Sequence, residues 1–205
     1  MTKRQLRKAA YKGIVKEGQG HQETFDLLRK ERGTVTLDEL ATEVSKVPSR
    51  AKWHANRIAV VVLMISLALI IVMRGLGIFV IGLQLGVNRP LFLLSLVSGL
   101  LIPALGIVML ATKRTDQMKL LSFLFILSVF RSLKDFESFD IYTLIALVPY
   151  IPAIGLGFWL PEKMKTPYTK KVEYAIRDNE KVGVTKVIFE QKVFASGRDL
   201  IDSEL

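Results

Sequence analysis

Between residues 58 and 160 the chain carries only seven Lys and Arg and four Asp and Glu, and its apolar runs approach twenty residues without a polar face. A buried helix of a water-soluble protein still turns one face to solvent. The hydrocarbon core of a bilayer instead demands about 20 apolar residues in a row. The flanks are of a different kind. Residues 1–57 hold thirteen basic against seven acidic side chains and residues 161–205 nine against eight. The net charges of +6, +3 and +1 sum to the +10 of the whole chain. The first apolar run begins only after this long charged region, so no cleavable leader is expected and the first span stays in the mature chain.

Four spans are expected, at about 55–73, 90–111, 119–133 and 141–160. IAVVVLMISLALIIVM forms the body of the first, and Arg74 is expected to end it. GLGIFVIGLQLGV, residues 75–87, is too short to cross alone, and reads as an extension of the first helix or as an interfacial or re-entrant piece. Pro90 sits where a first-turn proline belongs, and Pro103 is expected to kink the second span. The third has a short apolar body, so Arg131 is expected to snorkel to the interface. The fourth contains Pro149 and Pro152. Lys and Arg concentrate in residues 1–54, in the loop 112–119 and just after Leu160. The positive-inside rule therefore places both ends in the cytoplasm. Trp53 and Trp159 suit an interfacial aromatic belt. A prokaryotic inner membrane is the default location, no organelle signal being visible.

The ends carry soluble patterns. Residues 1–54 read as a basic three-helix region. Helices are expected at 3–16, closed by Gly18 and Gly20, and at 22–32 with Gly33 following. A third begins at the capping box of Thr36 and Glu39 and stops at Pro48. Ser49 is expected to cap a further helix running through Trp53 into the first span. Pro161 and Pro167 are expected to break the helix after the last span. Residues 161–205 then read as a tail with a β-hairpin: Val172, Tyr174 and Ile176 alternate, 178–181 turns, and 182–194 pairs back with a phase slip near Val187 and Ile188 that suggests a bulge. A lone hairpin is marginal in water, so the two ends are expected to pack together. The fold class is thus a membrane all-α bundle of about four transmembrane helices with a small cytoplasmic α+β part.

Candidates for chemistry are few. The chain has no cysteine and two histidines, His21 and His54, neither with partners at metal or triad spacing. Asp135, Glu137 and Asp140 offer carboxylate oxygens to a hard cation, although a loop between spans is polar anyway and Arg131 and Lys134 offset its charge. Pro103, Pro149 and Pro152 mark positions where spans break, as transporters require, and serve equally in helix packing. No ionisable residue is read as lying deep in a span. No phosphate loop, dinucleotide fingerprint, nucleophile elbow or zinc-helix motif occurs, so no cofactor and no reaction is expected. The basic amino-terminal helices loosely resemble nucleic-acid binders, but a helix feeding a span is poorly placed to enter a groove, and nucleic acid is not the expected partner. The expected function is a non-enzymatic scaffold or accessory component in the bilayer, presenting its cytoplasmic module to a protein partner or to another copy of itself. The alternative is a small oligomeric transporter or channel using the second and fourth spans, with an enzyme acting on lipid a third choice.

Overall fold

The computed structural model describes residues 2–31, 33, 35–85, 90–134, 141–177 and 180–190. Within these, the side chains of 78, 80–85, 90–98, 131–134, 141–143, 175–177 and 180–184 are not described. The chain is mostly helical with a C-terminal antiparallel two-stranded hairpin. It divides into two compact units, Met1–Ala55 with Lys165–Leu205, and Asn56–Met164.

The first unit packs short helices against the hairpin. Helix α1 (Lys3–Tyr11) starts on a capping box: Gln5 N donates to Thr2 Oγ1, and the Gln5 side chain accepts from Thr2 N at 2.8 Å. It widens into a π-turn at Lys12–Glu17 and ends at Gly18, whose φ of 77° favours a residue without Cβ. Arg50 then donates to the freed carbonyls of Val15 and Lys16. Helix α2 (His21–Glu31) buries His21, Thr24, Phe25 and Leu28, the 3.6-residue stripe of an amphipathic helix. Gly33 follows with a φ of 62°. Helix α3 (Leu37–Ser45) begins on the Thr36–Glu39 capping box and buries Leu40, Ala41 and Val44. Helix α4 (Arg50–Ala55) is capped by Ser49 Oγ, which accepts from Lys52 N at 3.2 Å. It does not run on into the apolar region, because a turn at Asn56 separates the two helices.

The hairpin pairs β1 (Tyr168–Arg177) with β2 (Glu180–Phe189), from Tyr168 opposite Phe189 to Arg177 opposite Glu180. The register runs without the bulge suggested by the phase slip. Val187 and Phe189 lie on one pleat face and are buried, whereas Ile188 is on the other, so both faces carry apolar residues and the alternation blurs. Phe189 meets the rings of Tyr168, Phe25 and His21 at centroid distances of 5.5, 5.6 and 5.9 Å. Leu6, Ala10, Ile14, Phe25, Leu40, Val44, Val187 and Phe189 form one core. This answers the instability of an isolated hairpin.

Gln22 guards the free edge of β2: its amide donates to Val187 O at 3.2 Å and accepts from Phe189 N at 3.0 Å, mimicking a third strand over one repeat. Further ties are Thr166 N to Ser45 O at 2.9 Å, Thr42 with Tyr168 hydroxyl at 3.2 Å, and Lys170 with Asp38 at 2.7 Å. The last of these holds the Lys170 pKa above its usual value.

The second unit consists of apolar helices. Helix α5 (Arg57–Leu85) packs on α6 (Pro90–Ala111) and on α9 (Tyr150–Met164). Helix α7 (Met118–Lys134) packs on α9 and α6, and α8 (Ile141–Leu147) precedes α9. Val60, Leu63, Leu67 and Ile70 make the inward stripe of α5, and Leu110, Phe125, Ala153 and Leu160 are buried on the other helices. Close approach is set by glycines. A Cβ on Gly106 lies 2.9 Å from Leu67 Cδ1, and one on Gly157 lies 1.9 Å from Ser122 Oγ. Two stretches, Arg57–Gly77 and Leu144–Met164, are long and apolar enough to cross a membrane among the described residues.

Several boundaries differ from the sequence reading. Arg74 does not end the first apolar helix, which continues to Leu85 and takes in residues 75–85 of the ambiguous segment, 86 and 87 lying outside the described residues. Helix α9 passes Pro161 and stops only at Met164, because a proline in the last turn forfeits little when neighbouring packing persists. The fourth apolar segment is two helices, divided at Val148 and Pro149. Pro103 lies buried inside α6 without ending it.

Candidate functional site

Arg74 is the most informative side chain of the second unit. It lies in the middle third of α5, and is half-buried among helices whose other inward groups are almost all apolar. Its Nε donates to Tyr150 Oη at 2.6 Å, and Nη2 donates to Ser128 Oγ. The guanidinium carbon also stands 5.7 Å from the Tyr150 ring centroid, within cation–π range. Tyr150 is held in turn by an edge-on contact with Phe125 at 5.9 Å and 83°. Three helices thus converge on one cation: α5 supplies the charge, α7 and α9 the hydroxyls.

Tyr150 opens α9 immediately after the break at Val148 and Pro149. Pro149 and Pro152 lack amide protons, and the chain there shortens its bonding to Val148 N with Ile145 O and Ile151 N with Val148 O. The proline pair singled out from sequence therefore lies beside Arg74, whereas Pro103 is on α6. Arg131 falls within α7, but its side chain lies outside the described ones; Asp135, Glu137 and Asp140 lie outside the described residues altogether.

The chain matches no protein-family model, no curated protein and no solved structure.

His21, expected in the loop before α2, is its first residue and is buried. Its Nε2 donates to Val47 O at 2.8 Å, which fixes the proton on that nitrogen because a carbonyl only accepts. Burial, with Lys52 adding to it, holds its pKa below the ordinary histidine value despite the bond to Val47. It serves as a core histidine joining α2 to the end of α3. His54 is on α4, and among the described residues no group of three His, Asp or Glu side chains gathers to hold a metal.

Arg74 was missed because a lone arginine between two apolar runs reads as the end of a helix. The signal was the apolar continuation from Gly75 to Val87, which places the charge inside one long segment.

Proposed function

We propose that the protein is a multi-pass membrane component of four spans with both ends cytoplasmic, and that it presents its first unit to a protein partner. The observation that carries this reading is the make-up of the first unit, whose core joins chain from before the apolar region to chain from after it. A water-soluble core built from both ends requires the apolar region to return the chain to the side it left, hence an even number of crossings. The outward faces of the second unit support lipid as their surrounding. Ile58, Ile65, Val72, Leu76 and Phe79 on α5 are exposed, as are Leu101 and Val108 on α6, Leu120, Phe123 and Phe130 on α7, and Ile151 on α9. Such a belt far exceeds the apolar patches that water-soluble monomers leave exposed. With α6 and α7 also crossing, the count is four. Moving Arg74 out of the outer loop leaves only Arg89 in the first such connection, which favours an inside position for residues 112–119 and for both ends.

The partner-facing surface is the outer part of the hairpin, where Val172 and Tyr174 stand 57 % and 74 % exposed beyond the core. Affinity capture of the full-length protein from its native membrane tests this. A stoichiometric partner lost on Val172→Ser with Tyr174→Ser is expected, and a partnerless monomer overturns the reading. The second reading, a small oligomeric transporter or channel, is favoured by the charge and helix break at Arg74 and Pro149. Solute flux in proteoliposomes above that of empty vesicles, lost on Arg74→Gln, decides in its favour.

A further inference from the structure

A guanidinium inside an apolar helix layer is costly wherever water is scarce, and side chains of this kind face the bundle interior and mark functional sites. Arg74 is half-buried among such helices, three residues before the end of the stretch Arg57–Gly77 that is long and apolar enough to cross a membrane. Its neighbours Ser128 and Tyr150 come from α7 and α9. The contacts of Arg74 point sideways to α7 and α9.

The company it keeps is neutral. A hydroxyl accepts a guanidinium proton but returns no charge, and among the described residues no carboxylate pairs with Arg74. Two of its N–H donors are occupied by Tyr150 and Ser128, which orients the planar fork and, among the described residues, leaves further donors on it. A fixed, oriented cation whose described neighbours are only dipolar attracts an anion. The fork geometry selects an oxyanion, since paired N–H groups match two oxygens of one phosphate. The helix break at Val148–Pro149 lies next to this group, and broken helices are where membrane proteins set solute contacts.

We infer that Arg74, oriented by the hydroxyls of Ser128 and Tyr150, binds a phosphate-type oxyanion inside the second unit. The oxyanion comes either from a free solute or from the headgroup of an anionic lipid, and the chemistry of recognition is the same. The inference rests on the proposal that the apolar belt lies in lipid. Binding by detergent-solubilised protein is read independently of span count and sidedness, so either can fail without the other.

The test is thermal unfolding of the full-length protein, delipidated in a neutral maltoside. Inorganic phosphate is titrated against chloride at matched ionic strength, and in parallel micelles are doped with phosphatidylglycerol or with phosphatidylcholine. Saturable stabilisation by phosphate, or by phosphatidylglycerol over phosphatidylcholine, is expected in the native protein. Response to phosphate identifies a free solute, and response to phosphatidylglycerol alone identifies a lipid headgroup. Arg74→Gln is expected to abolish the response. Arg74→Lys, which keeps the charge and loses the fork, should weaken apparent affinity at least tenfold, and Ser128→Ala and Tyr150→Phe severalfold. Should Arg74→Gln fail to fold, the Lys and Ala variants carry the test. The inference is overturned by a native protein that no probe stabilises, or by foldable variants that bind as the native chain does.

Discussion

Replacing Phe189 by alanine should loosen the whole first unit rather than the strand end alone. The side chain is 3 % exposed and contacts the rings of His21, Phe25 and Tyr168, so it joins α2, β1 and β2 in one contact set. Truncating a buried phenylalanine costs about 3–5 kcal/mol, which includes the lost ring pairs of about 0.5–1.5 kcal/mol each. At about 1.4 kcal/mol per tenfold, the open population should rise from about a hundredfold to a few thousandfold. Amide exchange read by mass spectrometry reports that population when closing outruns exchange. The segments Leu37–Ser45 and 185–189 should accelerate together, because α3 and β2 share the core. Tyr174→Ala, at a residue 74 % exposed, is the control and should change exchange by about twofold at most. Equal rates in the two variants, or acceleration of β2 with α3 unchanged, would refute the single-core argument.

Two further outcomes follow from named contacts. Gly157→Ala should destabilise the second unit, because the new Cβ falls 1.9 Å from Ser122 Oγ, and Ser122→Ala added to it should restore part of the loss; thermal melts of the two variants and the double variant check this. Stability of the first unit should fall as pH drops from 7.5 to 5.5. His21 has its pKa lowered by burial, so the unfolded chain takes up the proton first and the stability present above the ordinary histidine range is lost as pH falls through it. Urea midpoints at the two pH values should converge in His21→Gln, and an unchanged pH slope in that variant would assign the effect elsewhere. Glu39, whose pKa is lowered chiefly by its bond to Lys3, acts only at more acid pH, outside that window.

Much of the architecture was legible wherever one physical signal stood alone. The Thr36–Glu39 capping box, the left-handed glycine at 33 and the first-turn Pro90 each fixed a boundary, because each answers a local steric or hydrogen-bond demand. The hairpin was readable from Val172 and Tyr174, but its register was not, since core contacts fall on Val187 and Phe189 while Ile188 faces the other way. The role of Gln22 was invisible, as an amide that completes a strand edge has no sequence pattern. Arg74 was misplaced for a deeper reason. Charge inside an apolar run is judged by where the run ends, and the hydroxyls that receive it lie 54 and 76 residues away.

The central claim is the even, four-span topology with both ends inside, and single-cysteine accessibility in intact cells tests it most directly, since the chain has no cysteine of its own. Cysteines belong at the exposed Glu17, Gln117 and Glu190, with Asn88 and Ser138 for the intervening connections. Labelling of Glu17, Gln117 and Glu190 positions only from the cytoplasm, and of the 88 and 138 positions only from outside, is the predicted result. Labelling of positions 17 and 190 from opposite sides would contradict the account.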